Sequence, residues 1–154
     1  MTIYHKILVG VDGSNEAEEA LKRGIQIAKK DGATLGIGFV ADVRRIAPLI
    51  DYEQTYAKKA KAYGIELVEI YKNEAEKLGV KNVETFVKFG TPKTTFVKKI
   101  IGAFQPDLVL VGSTGLTPTE QFILGSVSDY IATHSPCDVI VVRGKNWRDR
   151  KKND

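Results

Sequence analysis

An open, mainly parallel α/β sheet of five strands with helices on both faces is the fold class the sequence predicts, and three observations predict it. Short runs rich in apolar and β-branched residues alternate with longer segments whose apolar positions recur every three or four residues. The runs LVLV (108–111) and VIVV (139–142) are apolar without interruption, as strands covered on both faces are. Turn-forming clusters follow three of the runs: Asp12-Gly13-Ser14, Gly90-Thr91-Pro92 and Gly112-Ser113-Thr114-Gly115.

Element by element, residues 3–11 (IYHKILVGV) read as a buried strand that stops at Asp12-Gly13-Ser14. Helical spacing takes over at 15–30, where Ala17, Ala20, Leu21, Gly24, Ile25 and Ala28 make one face. Asn15 and Glu18 form a candidate capping box, and Gly32 suits a left-handed C-cap. TLGIGFV (34–40) is the second strand, and 41–54, with Pro48 and no clear period, is a loop. Helical spacing returns from Thr55 to Leu78 through Ala60, Tyr63, Leu67, Ile70, Tyr71, Ala75 and Leu78, with Gly64 as its weak point and Gly79 as its stop. VETFVKF (83–89) alternates, as a strand with one less buried face does. Pro92 sits well at the first position of a helix that buries Phe96, Val97, Ile100, Ile101 and Phe104. Pro106-Asp107 ends that helix before strand 108–111. A last helix runs from about Gly125 to Ser135 and leads into strand 139–142.

The chain has 154 residues, 43% hydrophobic and 27% charged, which suits one ordered domain with a real core. No apolar run reaches the roughly 20 residues a membrane span needs, no secretory leader is visible, and Cys137 has no internal disulfide partner. The expected setting is cytoplasmic, with no membrane association. The net charge of +4 suggests a polyanionic partner, but its distribution argues otherwise. Residues 1–143 carry 18 basic and 17 acidic side chains; residues 144–154 (GKNWRDRKKND) carry five and two. The expected organisation is therefore a nearly neutral domain, 1–143, and a basic, flexible tail, 144–154. A nucleic-acid face needs clustered cations on folded surface, so nucleic acid is not the expected partner.

Open α/β sheets bind ligands beyond the carboxyl ends of their strands, where strand order reverses. The orders 3-2-1-4-5 and 2-1-3-4-5 compete. The richer glycine loop follows strand four, which favours 3-2-1-4-5 and a crevice between Asp12–Ser14 and Gly112–Gly115. Within GSTGLTPTEQFILGSVS (112–128), two residues separate Gly112 from Gly115 and nine separate Gly115 from Gly125-Ser126. Gly112 permits a sharp turn, Gly115 can aim amides inward, and the amides at Gly125, Ser126, Val127 and Ser128 open a helix whose dipole favours phosphate. The Ser126 and Ser128 hydroxyls are candidate donors to phosphate oxygens. A Walker loop would need Lys before the Ser, and a dinucleotide fingerprint would need GxGxxG in the first turn; both are absent.

These residues resemble the universal stress protein family in its ATP-binding branch, which carries this Gly-x2-Gly-x9-Gly-Ser/Thr spacing. KILVGVDGS, Gly38-Phe39-Val40 through Asp42, Gly90-Thr91-Pro92 and CDVIVV (137–142) resemble its other segments in order. The resemblance implies a Rossmann-like sheet of order 3-2-1-4-5. It implies that Val11 and Asp12 border adenosine, that Val40 meets adenine through its backbone, and that Gly112 and Ser113 face the ribose and nearby phosphate. Gly115, Gly125, Ser126, Val127 and Ser128 would hold the phosphates. ATP, ADP or AMP is the implied ligand, with Mg2+ or Mn2+ carried by its phosphates rather than by a protein ligand set. A homodimer through the last strand (138–143) is implied as well, and the exposed strand edge supplies a physical motive. The implied role is a nucleotide-dependent sensor or regulatory dimer in the stress response. The alternatives are a slow ATPase or self-phosphorylating protein, and a nucleotide-free scaffold. Thr114 stands where relatives often have His or Arg, and 116–124 contains no Lys or Arg. No catalytic residue is assigned.

Overall fold

A computed structural model describes residues 3–42, 53–113 and 124–144. The predicted loop after residue 42, Thr114, Gly115, the loop 116–123 and tail residues 145–154 lie outside the described residues. The elements are β1 (Lys6–Gly10), α1 (Asn15–Asp31), β2 (Thr34–Asp42), α2 (Glu53–Lys77) and β3 (Val83–Gly90). They continue with helix α3, strand β4 (Leu108–Gly112), helix α4 (Ser126–His134) and strand β5 (Asp138–Val142). Helix α3 opens with the α-turn Pro92–Thr95, widens to a π-helical stretch at Phe96–Ile101 and closes with Gly102–Phe104.

All four strand pairings are parallel, and the order is β3-β2-β1-β4-β5. This is the predicted class and the predicted order. Strand alternation divides the core between two faces. Ile7, Val9, Leu35, Ile37 and Phe39 face α1 and α2 with Ala20, Leu21, Ile25, Val68, Tyr71 and Ala75. Leu8, Val109 and Val111 face α3 and α4 with Phe96, Ile100, Phe104 and Ile131. The glycines of TLGIGFV serve the second face. A Cβ at Gly36 would lie 2.9 Å from Phe104, and one at Gly38 would lie 3.1 Å from Ile100, so their absence admits the bulky side of α3.

Several expectations need correction. β1 begins at Lys6, and the Asp107 carboxylate accepts from the backbone N–H groups of His5 and Lys6. The N-cap of α1 is Ser14, not Asn15: the Ser14 hydroxyl accepts from the Ala17 N–H at 3.2 Å, so there is no Asn15–Glu18 box. Gly32 is the left-handed C-cap, with φ 69°. β2 continues through Ala41 and Asp42, which pair with Phe89 and Gly90.

The buried face of α2 was misread. Tyr63, Ile70 and Leu78 are exposed, and the contact runs through Gly64, Val68, Tyr71 and Ala75. Gly64 is the reason, because a Cβ there would come within 2.6 Å of Phe39 and 3.1 Å of Val87. The supposed weak point is where α2 lies closest to the sheet. Val139, Ile140 and Val141 of β5 are only half-buried, because β5 is the sheet's edge. Among the described residues no helix is long and apolar enough to cross a membrane.

Candidate functional site

The strand register opens a crevice. β1 and β4 pair only as far as Val9 and Leu110. Beyond that point β1 stays with β2, through the Gly10–Gly38 pair and the Val11 N–H donating to the Gly38 carbonyl at 2.9 Å. β4 stays with β5, through the Gly112–Val142 pair and the Ser113 N–H donating to the Val142 carbonyl at 2.8 Å. The two strands therefore part at their carboxyl ends, where a sheet of this order has its switch point.

One lip is the turn after β1. Val11 is buried and Asp12 exposed. The Asp12 Oδ1 accepts from the Ser14 N–H at 2.9 Å, which folds the turn, while Gly13 takes φ 84°. Tyr63 of α2 covers this turn, its hydroxyl 2.7 Å from where a Gly13 Cβ would stand and its ring edge-on to Phe39. Sequence reasoning placed Tyr63 in the core. Gly64 was the usable signal, since the residue before a helix's closest contact points about 100° away from it.

The other lip joins the end of β4 to the start of α4. The Gly125 N–H donates to the Ser113 carbonyl at 2.9 Å, and the Ser128 hydroxyl donates to the Gly112 carbonyl. These two bonds anchor both ends of the intervening loop. They also use groups that the sequence reading offered to phosphate: the Gly125 N–H and the Ser128 hydroxyl proton are already engaged. The remaining donors are the backbone N–H groups of Ser126, Val127 and Ser128, which precede the first intrahelical bond, from the Asp129 N–H to the Gly125 carbonyl. Among the described residues no side chain caps this turn, and Ser126 and Val127 are exposed. Three uncapped amides at the positive end of a helix dipole make an anion-binding arrangement.

Gly112 has a packing role as well. A Cβ there would stand 2.8 Å from Glu16 Cβ and 3.0 Å from the Ala17 nitrogen, so α1's first turn abuts β4 only because residue 112 lacks a side chain. Ser113 is 2% exposed. Val40 is half-buried on the α3 side.

Burial, reinforced by the hydrogen bond to Glu18, raises the Tyr71 pKa. The hydrogen bond to Asp138 raises that of Tyr4 at the opposite end of the sheet. Burial pushes the Cys137 thiol up, which makes it a poor nucleophile. His5 is exposed beside the amino end of β1, and His134 stacks on Tyr130. Among the described residues no group of three or more His, Cys, Asp or Glu is placed to hold a metal ion.

Residues 3–143 match the model of the universal stress protein family. A Staphylococcus saprophyticus protein that carries the universal stress protein name is 43% identical over 143 residues, 93% of this chain and 86% of that protein. The hypothetical protein MJ0577 superposes with a TM-score of 0.83 at 30% identity, covering 94% of this chain and 99% of that one. A universal stress protein solved in complex with cAMP superposes with a TM-score of 0.66 at 26% identity, covering 92% and 98%.

Proposed function

The chain belongs to the universal stress protein family, and from that premise we propose that it binds an adenine nucleotide, ATP in the first instance, across the β1–β4 crevice. The carrying observation is the uncapped start of α4, fixed at the lip of the crevice by the bonds joining Gly125 to Ser113 and Ser128 to Gly112. The cAMP complex of a structural relative supports the ligand class. Val11, Asp12 and Val40 border the adenosine. Gly112 and Ser113 line the ribose side, and Gly115 with the amides of Ser126, Val127 and Ser128 faces the phosphates. Mg2+ or Mn2+ would supply charge neutralisation through the phosphates.

The role is that of a nucleotide-dependent sensor or regulator. The two described histidines are at the far end of β1 and stacked on Tyr130, so neither serves as a base at the phosphates. Saturating Mg-ATP, at about 100 times the dissociation constant, adds about 2.7 kcal/mol of stability, read as a rise in melting temperature. No rise removes ATP as the ligand. Turnover slower than about one per second fits a regulator; faster steady hydrolysis makes the protein an ATPase.

The working unit is a homodimer joined through residues 138–143. β5 ends the sheet and leaves Val139, Ile140 and Val141 half-buried in a single chain, an edge that pairing would cover. Light scattering is expected to give the mass of two chains; the mass of one contradicts the edge-pairing model.

A further inference from the structure

Tyr63 is a half-exposed aromatic held against one lip of the crevice. We propose that its ring covers the adenosine end of the bound nucleotide and contacts the base, which makes Tyr63 a binding residue of the site. The proposal rests on the nucleotide-binding reading and deepens it, because it adds a side chain that recognises the base.

Two contacts fix where the ring stands. At Gly64, α2 is pressed against β2 and β3, where a Cβ would lie 2.6 Å from Phe39 and 3.1 Å from Val87. Tyr63, one residue earlier, leaves that contact toward β1. Its ring meets Phe39 of β2 with centroids 5.8 Å apart and planes at 68°. Its hydroxyl stands 2.7 Å from the position of a Gly13 Cβ. Gly13 lies beyond the last residue of β1, Gly10, and next to Asp12. The ring therefore spans the carboxyl ends of β1 and β2. Val11, Asp12 and Val40, which border the adenosine in the proposed complex, lie at those same two ends. Gly13 makes the approach possible: it takes φ 84°, and any side chain there would collide with the phenol.

The exposure of Tyr63 fits a ligand contact better than a packing role. Tyr71, about two turns further along α2, is 6% exposed, and its hydroxyl donates to Glu18 at 3.1 Å, so it ties α2 to α1. Tyr63 is 51% exposed although it is held at both Phe39 and Gly13. A ring already held in place loses little freedom when a base covers it, and its apolar surface leaves water together with that of the base.

The test is calorimetric titration of the full chain, stripped of nucleotide, with Mg-ATP and, separately, with AMP. Tyr63→Leu keeps an apolar side chain against Phe39 but removes the ring, and should weaken both ligands about tenfold and to the same degree. Tyr63→Phe keeps the ring and should hold both within about threefold of the parent. In the parent, saturating AMP should protect Tyr63 from nitration by tetranitromethane, read by mass spectrometry, and this readout does not depend on how a variant folds. A Tyr63→Leu variant that melts like the parent and binds both ligands equally well overturns the assignment and leaves nucleotide binding intact. A loss confined to Mg-ATP, or nitration of Tyr63 undiminished by AMP, also overturns it. A parent protein that binds neither nucleotide overturns both readings.

Discussion

Gly125→Asp is expected to abolish nucleotide binding while leaving the fold at least as stable as the parent. Gly125 is the N-cap of α4 with φ −60° and ψ 155°, a conformation any residue adopts, so no strain follows from a side chain there. Asp is among the preferred N-cap residues, and its carboxylate would accept from the free amides of the first turn. Relative to glycine this adds a few tenths of a kcal/mol. The same carboxylate occupies the donors meant for phosphate and repels it. A loss of at least about 100-fold in ATP affinity, about 2.8 kcal/mol, is expected. Gly125→Asn caps the turn without the charge and should fall in between. A Gly125→Asp variant that retains affinity would move the site away from α4. Calorimetry and a melting curve on the same sample separate loss of binding from loss of folding.

Phe104→Ala carries the largest expected effect on stability. Phe104 is 2% exposed and fills the space that Gly36 leaves on β2, edge-on to Phe86 at 5.6 Å and under the Lys6 ammonium at 4.5 Å. Removing the ring leaves a cavity that rigid strand backbone cannot close, at a cost of about 3–5 kcal/mol in urea denaturation. For a domain of this size that is roughly 6–20 °C in melting temperature. Lys6 opens β1, so this cluster lies toward the amino ends of the strands, away from the crevice. Below its lowered melting point the variant should bind ATP like the parent. A cost under about 1 kcal/mol would mean that α3 does not pack against Gly36 as described.

The strands and their order were legible because their signals are local. Unbroken apolar runs mark the buried strands, and the glycines around Gly112 mark the loop beyond β4, from which the strand order follows. The face of α2 was not legible. Its apolar positions exceed what one face can bury, and only the contact with Phe39 shows that Gly64 sets the axis and turns Tyr63 out over Gly13. The cap of α1 went to Ser14 because the Asp12 turn brings Ser14 into extended geometry one residue earlier than the helical pattern suggests.

At the site, spacing pointed to the start of α4 but could not show how its polar groups are used. The Ser128 hydroxyl looked like a phosphate donor and instead donates to the Gly112 carbonyl.

The most direct measurement is to denature the purified protein and identify by chromatography what it releases. The β1–β4 crevice as described predicts an adenylate in an amount comparable to the protein, lost in Gly125→Asp. Release of no ATP, ADP or AMP, together with no melting shift on adding Mg-ATP, would contradict nucleotide binding and leave a scaffold.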